Sequence, residues 1–184
     1  LTTKNHQGVI AFTSAVTYQR VEDLVPMLYE EGKNPLFVML DGVTDVRNFG
    51  AIARSAECAG AHGLICPLKN SAPVNADAIR SSAGALTRIP VHRAGSIRNT
   101  LKTLAQQGMQ IVAATEKTDT LLFDADLTKP TGIVMGNEEK GVSKEIMKLC
   151  DEQLAIPMIG AIESLNVSAA AAVMLFEVVR QRIG

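Results

Sequence analysis

The sequence predicts an α/β fold, a mostly parallel sheet with helices on both faces. Three observations carry that prediction. Short apolar, β-branched runs recur along the chain, each bounded by Gly, Pro, Asp or Asn. Stripes of helical period stand between them. The 184 residues, 47% hydrophobic and 20% charged, suffice for one domain with a full core and are too apolar for a disordered chain.

Taken in order, a helix is expected over about 24–31 before Gly32, then a strand at 36–40. Residues 49–59 read as a helix capped by Asn48, with Gly50 allowing close packing and Ala51, Ala53, Ala56 and Ala59 keeping it thin. A strand at 64–66, a helix at 76–82 and a weaker strand at 89–92 follow. Ile97, Leu101, Leu104 and Ala105 then repeat at i, i+4, i+7, i+8, opened by Ser96 and closed by Gly108. Strands at 111–114 and 133–135, a helix at 144–149 and a strand at 154–156 lead to a last helix. Its stripe is Val167, Ala170, Ala171, Met174, Leu175 and Val178, with Ser164 or Asn166 as its cap. Residues 1–20 read as a linker remnant and 21–184 as one domain.

Several classes are excluded. The most apolar stretch, 167–179, is short and holds Ser168 and Glu177, so no membrane span is expected. The N-terminus lacks a secretory signal pattern and an initiator Met; the chain reads as a cytoplasmic protein and as a piece of a longer one. Cys58, Cys66 and Cys150 are widely spaced, and His6, His62 and His92 stand alone. No disulfide framework or metal site is expected.

Net charge is −1, but the charge is segregated: residues 46–115 carry 8 basic and 2 acidic side chains. Between Ala78 and Thr115 there is no carboxylate, while Arg80, Arg88, Arg93, Arg98 and Lys102 are present. Such a stretch reads either as a phosphate-seeking patch or as solvated helix faces.

In a parallel α/β fold, ligands bind where strands end and helices begin. Three junctions carry unusual residues. In LDGVTDVRNFGAIARSAECAG (40–60), Arg54 lies opposite the Ile52, Ala56, Ala59 stripe, pointing out from the core toward any phosphate or ribose. In IVMGNEEKGVS (133–143), the Gly136 to Gly141 spacing superficially matches a P-loop, but Val142 stands where that motif needs Lys. Glu138 and Glu139 there favour a neutral or cationic ligand. In IPMIGAIESLNVSAAAAVMLFE (156–177), the apolar Ile159, Ala161, Ile162 and Leu165 need covering, which a loop-lined ligand slot would supply. A dehydrogenase-type nucleotide site is not supported, because Gly42, Val43 and Thr44 do not supply G-x-G-x-x-G after the first strand.

These three segments, in this order, resemble motifs 1, 2 and 3 of the SpoU/TrmH family of RNA ribose 2′-O-methyltransferases, in the SPOUT superfamily. The resemblance covers about 36–182, and NHQGVIAF (5–12) is similar to the linker of the branch that modifies a guanosine of large-subunit (23S) ribosomal RNA. It implies a C-terminal trefoil knot, a homodimer and S-adenosylmethionine as methyl donor. It also implies that 21–184 is the catalytic domain, with the branch's small N-terminal RNA-binding domain absent from this chain. The donor pocket maps to Thr115, Gly136, Asn137, Ile156, Met158 and Leu165. Arg54 is assigned to the acceptor hydroxyl, with Asn48, Glu138, Ser164 and Asn166 holding the arginine and the ribose. Because a guanidinium keeps its proton at any ordinary pH, alkoxide stabilisation is favoured over proton abstraction. Arg47, Arg80, Arg88 and Arg93 would line an RNA-facing rim with Arg54. Transfer RNA as substrate and a non-catalytic RNA-binding module are the rival readings.

Overall fold

A computed structural model describes residues 20–184; the expected linker, including His6 and the 5–12 segment, lies outside the described residues except for Arg20. Six strands form one wholly parallel sheet: β1 (Leu36–Asp41), β2 (Gly63–Pro67), β3 (Val91–Ala94), β4 (Gln110–Ala114), β5 (Thr131–Gly136) and β6 (Glu152–Leu154), in the order β3-β2-β1-β5-β4-β6. The helices are α1 (Val21–Glu30), α2 (Val46–Cys58), α3 (Ala76–Ser81), α4 (Ile97–Gln106), α5 (Lys144–Met147) and α6 (Val167–Ile183).

Alternate strand residues feed two cores, as the two-residue period of a strand requires. Leu36, Val38, Leu40, Leu64, Ile133 and Met135 pack under α2, α3 and α6. Phe37, Met39, Ile65, Ile111, Ala113 and Val134 pack under α1, α4 and α5. This is the predicted three-layer arrangement. None of the described helices is long and apolar enough to cross a membrane.

Among the element boundaries that differ from the sequence reading, three bear on the site or on the sheet edges. Helix α2 starts earlier, because Asp45 rather than Asn48 is its cap, accepting from the Arg47 and Asn48 amides at 2.8 Å. Strand β3 is shifted toward its C-terminal end: Leu64 pairs with Val91, and Ile89 is buried below a 3₁₀ turn at Ala85–Thr87. Strand β6 stops at Leu154, so Ile156 belongs to the loop beyond it. The open choice at α6 resolves to Asn166, whose side chain accepts from the Ser168 amide at 2.9 Å.

Local devices hold the layers in place. Pro26 inside α1 cannot donate to the Glu22 carbonyl, and the side-chain Nε2 of Gln107, the C-cap of α4, fills that acceptor at 3.0 Å. A Cβ on Gly50 would lie 2.5 Å from Ser81 Cβ and 2.8 Å from the Ala78 carbonyl oxygen, so only glycine lets α2 meet α3. His62 accepts the Leu36 amide through Nδ1 at 3.1 Å, and burial together with nearby Lys33 holds its pKa below the usual histidine value.

Candidate active site

At the carboxyl ends of β4, β5 and β6 the loops enclose a cavity of about 450 Å³, the position this sheet topology reserves for a ligand. Three stretches distant in sequence build it: 114–117 after β4, the turn after β5, and the 156–166 loop running into α6.

The turn after β5 owes its shape to two glycines and an asparagine. Asn137 and Gly141 exchange main-chain hydrogen bonds at 3.1 and 2.8 Å, and Gly141 takes a φ of +68°. The Asn137 side chain donates to the Gly42 carbonyl at 3.0 Å and accepts from the Glu139 and Lys140 amides at 2.9 and 3.1 Å. Gly136 passes so close to this turn that a Cβ would lie 2.1 Å from the Gly141 carbonyl carbon and from the Val142 nitrogen.

All six residues mapped as a donor pocket, Thr115, Gly136, Asn137, Ile156, Met158 and Leu165, line the cavity. So do Glu138, Ser164 and Asn166. Asn137 lines it with a side chain already engaged in the turn. At the rim, the Asn48 side chain donates to Glu138 Oε1 at 2.9 Å and accepts from the Asn166 side-chain Nδ2 at 3.1 Å. That pair of bonds joins the first turn of α2, the β5 turn and the cap of α6. The early start of α2 makes it possible: with Asp45 capping the helix, the Asn48 side chain is released to bridge.

Arg54 is exposed on the same helix, about 9 Å further along its axis than Asn48, and is not among the residues lining the cavity. The arginines of the expected rim do not behave alike. Arg47 and Arg80 border a second depression between α2 and α3, where Arg80 pairs with Asp77. Arg88 is exposed beyond the 3₁₀ turn. Arg93 is half-buried and its guanidinium is spent on the 67–72 loop, donating to Ser71 Oγ at 2.6 Å and the Ala72 carbonyl at 2.9 Å. Ile159 and Ile162, expected to be covered by a ligand slot, are instead 99% and 76% exposed and lie outside the cavity lining.

The cavity mixes apolar walls, Ile156, Met158, Leu165 and Ala170, with four carboxylates, Glu116, Glu138, Glu139 and Glu163, against two lysines, Lys117 and Lys140. It therefore suits a ligand with an apolar body and a positive charge. Among the described residues, no group of three or more His, Cys, Asp or Glu side chains is arranged to hold a metal ion.

A parallel α/β protein with a ligand cavity at its strand ends is the class that fold and site define. Within that class, residues 35–176 match the SpoU rRNA Methylase family, and the chain belongs to it. It is 43% identical over 177 residues to an uncharacterized tRNA/rRNA methyltransferase of Mycolicibacterium smegmatis, covering 96% of this chain and 56% of that protein. It is 40% identical to the 23S rRNA (guanosine-2′-O-)-methyltransferase RlmB of Yersinia pestis, covering 96% and 72%. Among solved structures, the SpoU methyltransferase AviRb from Streptomyces viridochromogenes, in complex with the cofactor AdoMet, superposes with a TM-score of 0.76. That match is 38% identical and covers 82% of this chain and 61% of AviRb. The chain thus spans little more than half the length of the first of these relatives.

Proposed function

We propose that residues 21–184 are the catalytic domain of an RNA ribose 2′-O-methyltransferase that uses S-adenosylmethionine, and that 1–20 are a linker remnant. The observation carrying this reading is the convergence of the six mapped pocket residues, from three separate junctions, on one cavity whose rim is the Asn48–Glu138–Asn166 bridge. The cavity fits the donor: apolar side chains for the adenine, a glycine turn whose backbone comes close, and carboxylates beside a sulfonium. Bound there, S-adenosylmethionine supplies an electrophilic methyl group.

The chain's own residues then orient the acceptor and manage one proton. Exposed Arg54, outside the cavity but on the helix whose first turn forms its rim, meets the ribose hydroxyl and its neighbouring phosphate. There its fixed positive charge stabilises the developing alkoxide while the hydroxyl proton passes to solvent water at the exposed mouth. Asn48, Glu138, Ser164 and Asn166 hold the sugar at the mouth.

The 40% identity to the guanosine-modifying relative supports a guanosine of 23S ribosomal RNA as the target. The chain works as a homodimer in the cytoplasm; the uncovered Ile159 and Ile162 beside the cavity support a second copy seated over that loop. The knot belongs to the same reading. The Leu122 and Ala155 amides lace the 115–130 loop to the segment after β6, with bonds to Ala155 and Thr120 carbonyls at 2.8 and 2.9 Å, before α6 returns to pack on α2.

The test joins titration calorimetry with ribose-methylation mapping. The unaltered protein takes up S-adenosylmethionine, and cells lacking it lose one 2′-O-methyl mark on 23S ribosomal RNA. Arg54→Ala abolishes methylation and leaves donor affinity nearly intact. Collapse of donor affinity with surviving turnover per bound donor would overturn the role of Arg54, and a lost mark on transfer RNA would move the substrate.

A further inference from the structure

Arg93 sits in the carboxylate-free segment and reads, from sequence, as an RNA-binding cation. The fold uses it otherwise. Its guanidinium lies beneath the loop that follows β2, donating to Ser71 Oγ at 2.6 Å, the Ala72 carbonyl at 2.9 Å and the Pro67 carbonyl at 3.4 Å. Ser71 Oγ donates in turn to the Pro67 carbonyl at 2.7 Å. Two main-chain bonds fasten the loop from outside: the Leu68 amide to the Ala94 carbonyl at 3.0 Å, and the Ala72 amide to the Val43 carbonyl at 3.0 Å. A charged fork spent on main-chain oxygens is a strong local clamp.

What the clamp presents is unusual for a connector. Leu68 is 65% exposed, Lys69 and Asn70 are exposed, and Asn70 is held at a φ of +54°. No hydrogen bond or ion pair engages the Lys69 ammonium among the described residues. From Cys58 through Ala76 there is no carboxylate. A rigid tip carrying an apolar side chain, a free cation and an amide, in a stretch without negative charge, complements a polyanion whose bases have apolar faces.

Its position is set by the sheet. The loop leaves the carboxyl end of β2, the same end that carries the cavity, and β2 is separated from β5 only by β1. Two strand spacings amount to roughly 10 Å. The bond from Ala72 to Val43 also ties the loop to the β1 junction that leads into Arg47 and Asn48.

We propose that the Leu68–Lys69–Asn70 tip is an RNA-contact element for nucleotides flanking the modified ribose, with Arg93 as its positioning residue rather than a phosphate ligand. This rests on the RNA methyltransferase reading above. Lys69 takes a phosphate, Leu68 packs on a base face, and the clamp removes the entropy that a loose loop would lose on binding.

The test measures affinity for 23S ribosomal RNA transcribed in vitro, at several salt concentrations, alongside S-adenosylmethionine affinity and melting temperature. Leu68→Ser with Lys69→Ala weakens RNA binding about tenfold and flattens the dependence of log affinity on log salt by roughly 0.7. Donor affinity and melting temperature stay unchanged. Arg93→Gln weakens RNA binding while keeping the salt slope, because no phosphate contact is lost. An unchanged RNA affinity and slope in the double variant, with the parent protein binding both ligands, would overturn the proposal and leave the enzyme reading standing. Loss of slope in Arg93→Gln equal to that in Lys69→Ala would overturn the positioning role. A parent protein that binds neither RNA nor donor would sink both readings.

Discussion

At Gly136 the chain leaves no space for a side chain, since the backbone of Gly141 and Val142 occupies the place of a Cβ. The neighbouring turn must open to admit even a methyl group, and that turn is a wall of the cavity. Gly136→Ala is therefore expected to cost about 1–3 kcal/mol by urea denaturation. It should also weaken S-adenosylmethionine binding at least about tenfold by calorimetry, because the wall itself moves. In the loop across the cavity, a Cβ on Gly160 would meet nothing within 4 Å, and the backbone there has no positive φ, so Gly160→Ala serves as the silent comparison. Polar residues show the same division between shaping and binding. Asn137 reads from sequence as a ligand contact, yet its side chain is engaged with Gly42, Glu139 and Lys140. The thiols divide too: burial pushes Cys66 up to about 11 and Cys150 up to about 12, whereas Cys58 is exposed.

Among the elements, α6 is fastened at both ends. Asn166 caps its start at the cavity, and its last turn ends in a clasp. The Arg182 guanidinium donates to the carbonyls of Asn34, Pro35, Leu127 and Lys129, and Gln181 holds the Leu127 amide and the Ala125 carbonyl. Glu177, buried at the base of the turn, takes Arg180 through two bonds at 2.8 and 2.9 Å. Arg182→Ala strips a cation from four carbonyls, and about 2–4 kcal/mol of stability should go with it in urea denaturation. These elements differ in how legible they are. The inner strands β1, β2, β4 and β5 announce themselves because a strand buried on both faces must be largely apolar, whereas the edge strands β3 and β6, which hold His92, Arg93, Glu152 and Gln153, are displaced by two residues from the runs that predict them. The start of α2 is not legible because Asp45 and Asn48 are equally good caps, and only the bonds to Glu138 and Asn166 show why Asn48 is otherwise engaged. Arg93 misleads because an arginine far from any carboxylate looks solvated. Its partners are backbone oxygens, which no side-chain pattern reveals.

For the molecule as a whole, the sequence locates the cavity but not what surrounds it. Motif residues lie near their junctions in the chain, so the strand-end rule is enough to gather them. The order β3-β2-β1-β5-β4-β6 is not legible, because apolar runs specify that a strand is buried and not which strand lies beside it. The uncovered Ile159 and Ile162 are likewise a property of the assembled molecule. If a second copy covers them, the unaltered protein sediments as a dimer. Ile162→Glu, which places a charge in that contact, shifts it to a monomer with an unchanged melting profile at low concentration.

The sheet's centre has a further bearing on how the protein comes into being. Strand β1, LFVMLD, is flanked by β2 on one side and on the other by β5, in a register that joins Leu36 to Thr131 and Asp41 to Gly136. A chain leaving the ribosome at about 5–20 residues per second must carry one greasy edge unzipped for several seconds until its partner emerges. Nascent-chain aggregation, and chaperone traffic to prevent it, should peak in that interval and fall once residue 136 clears the exit tunnel.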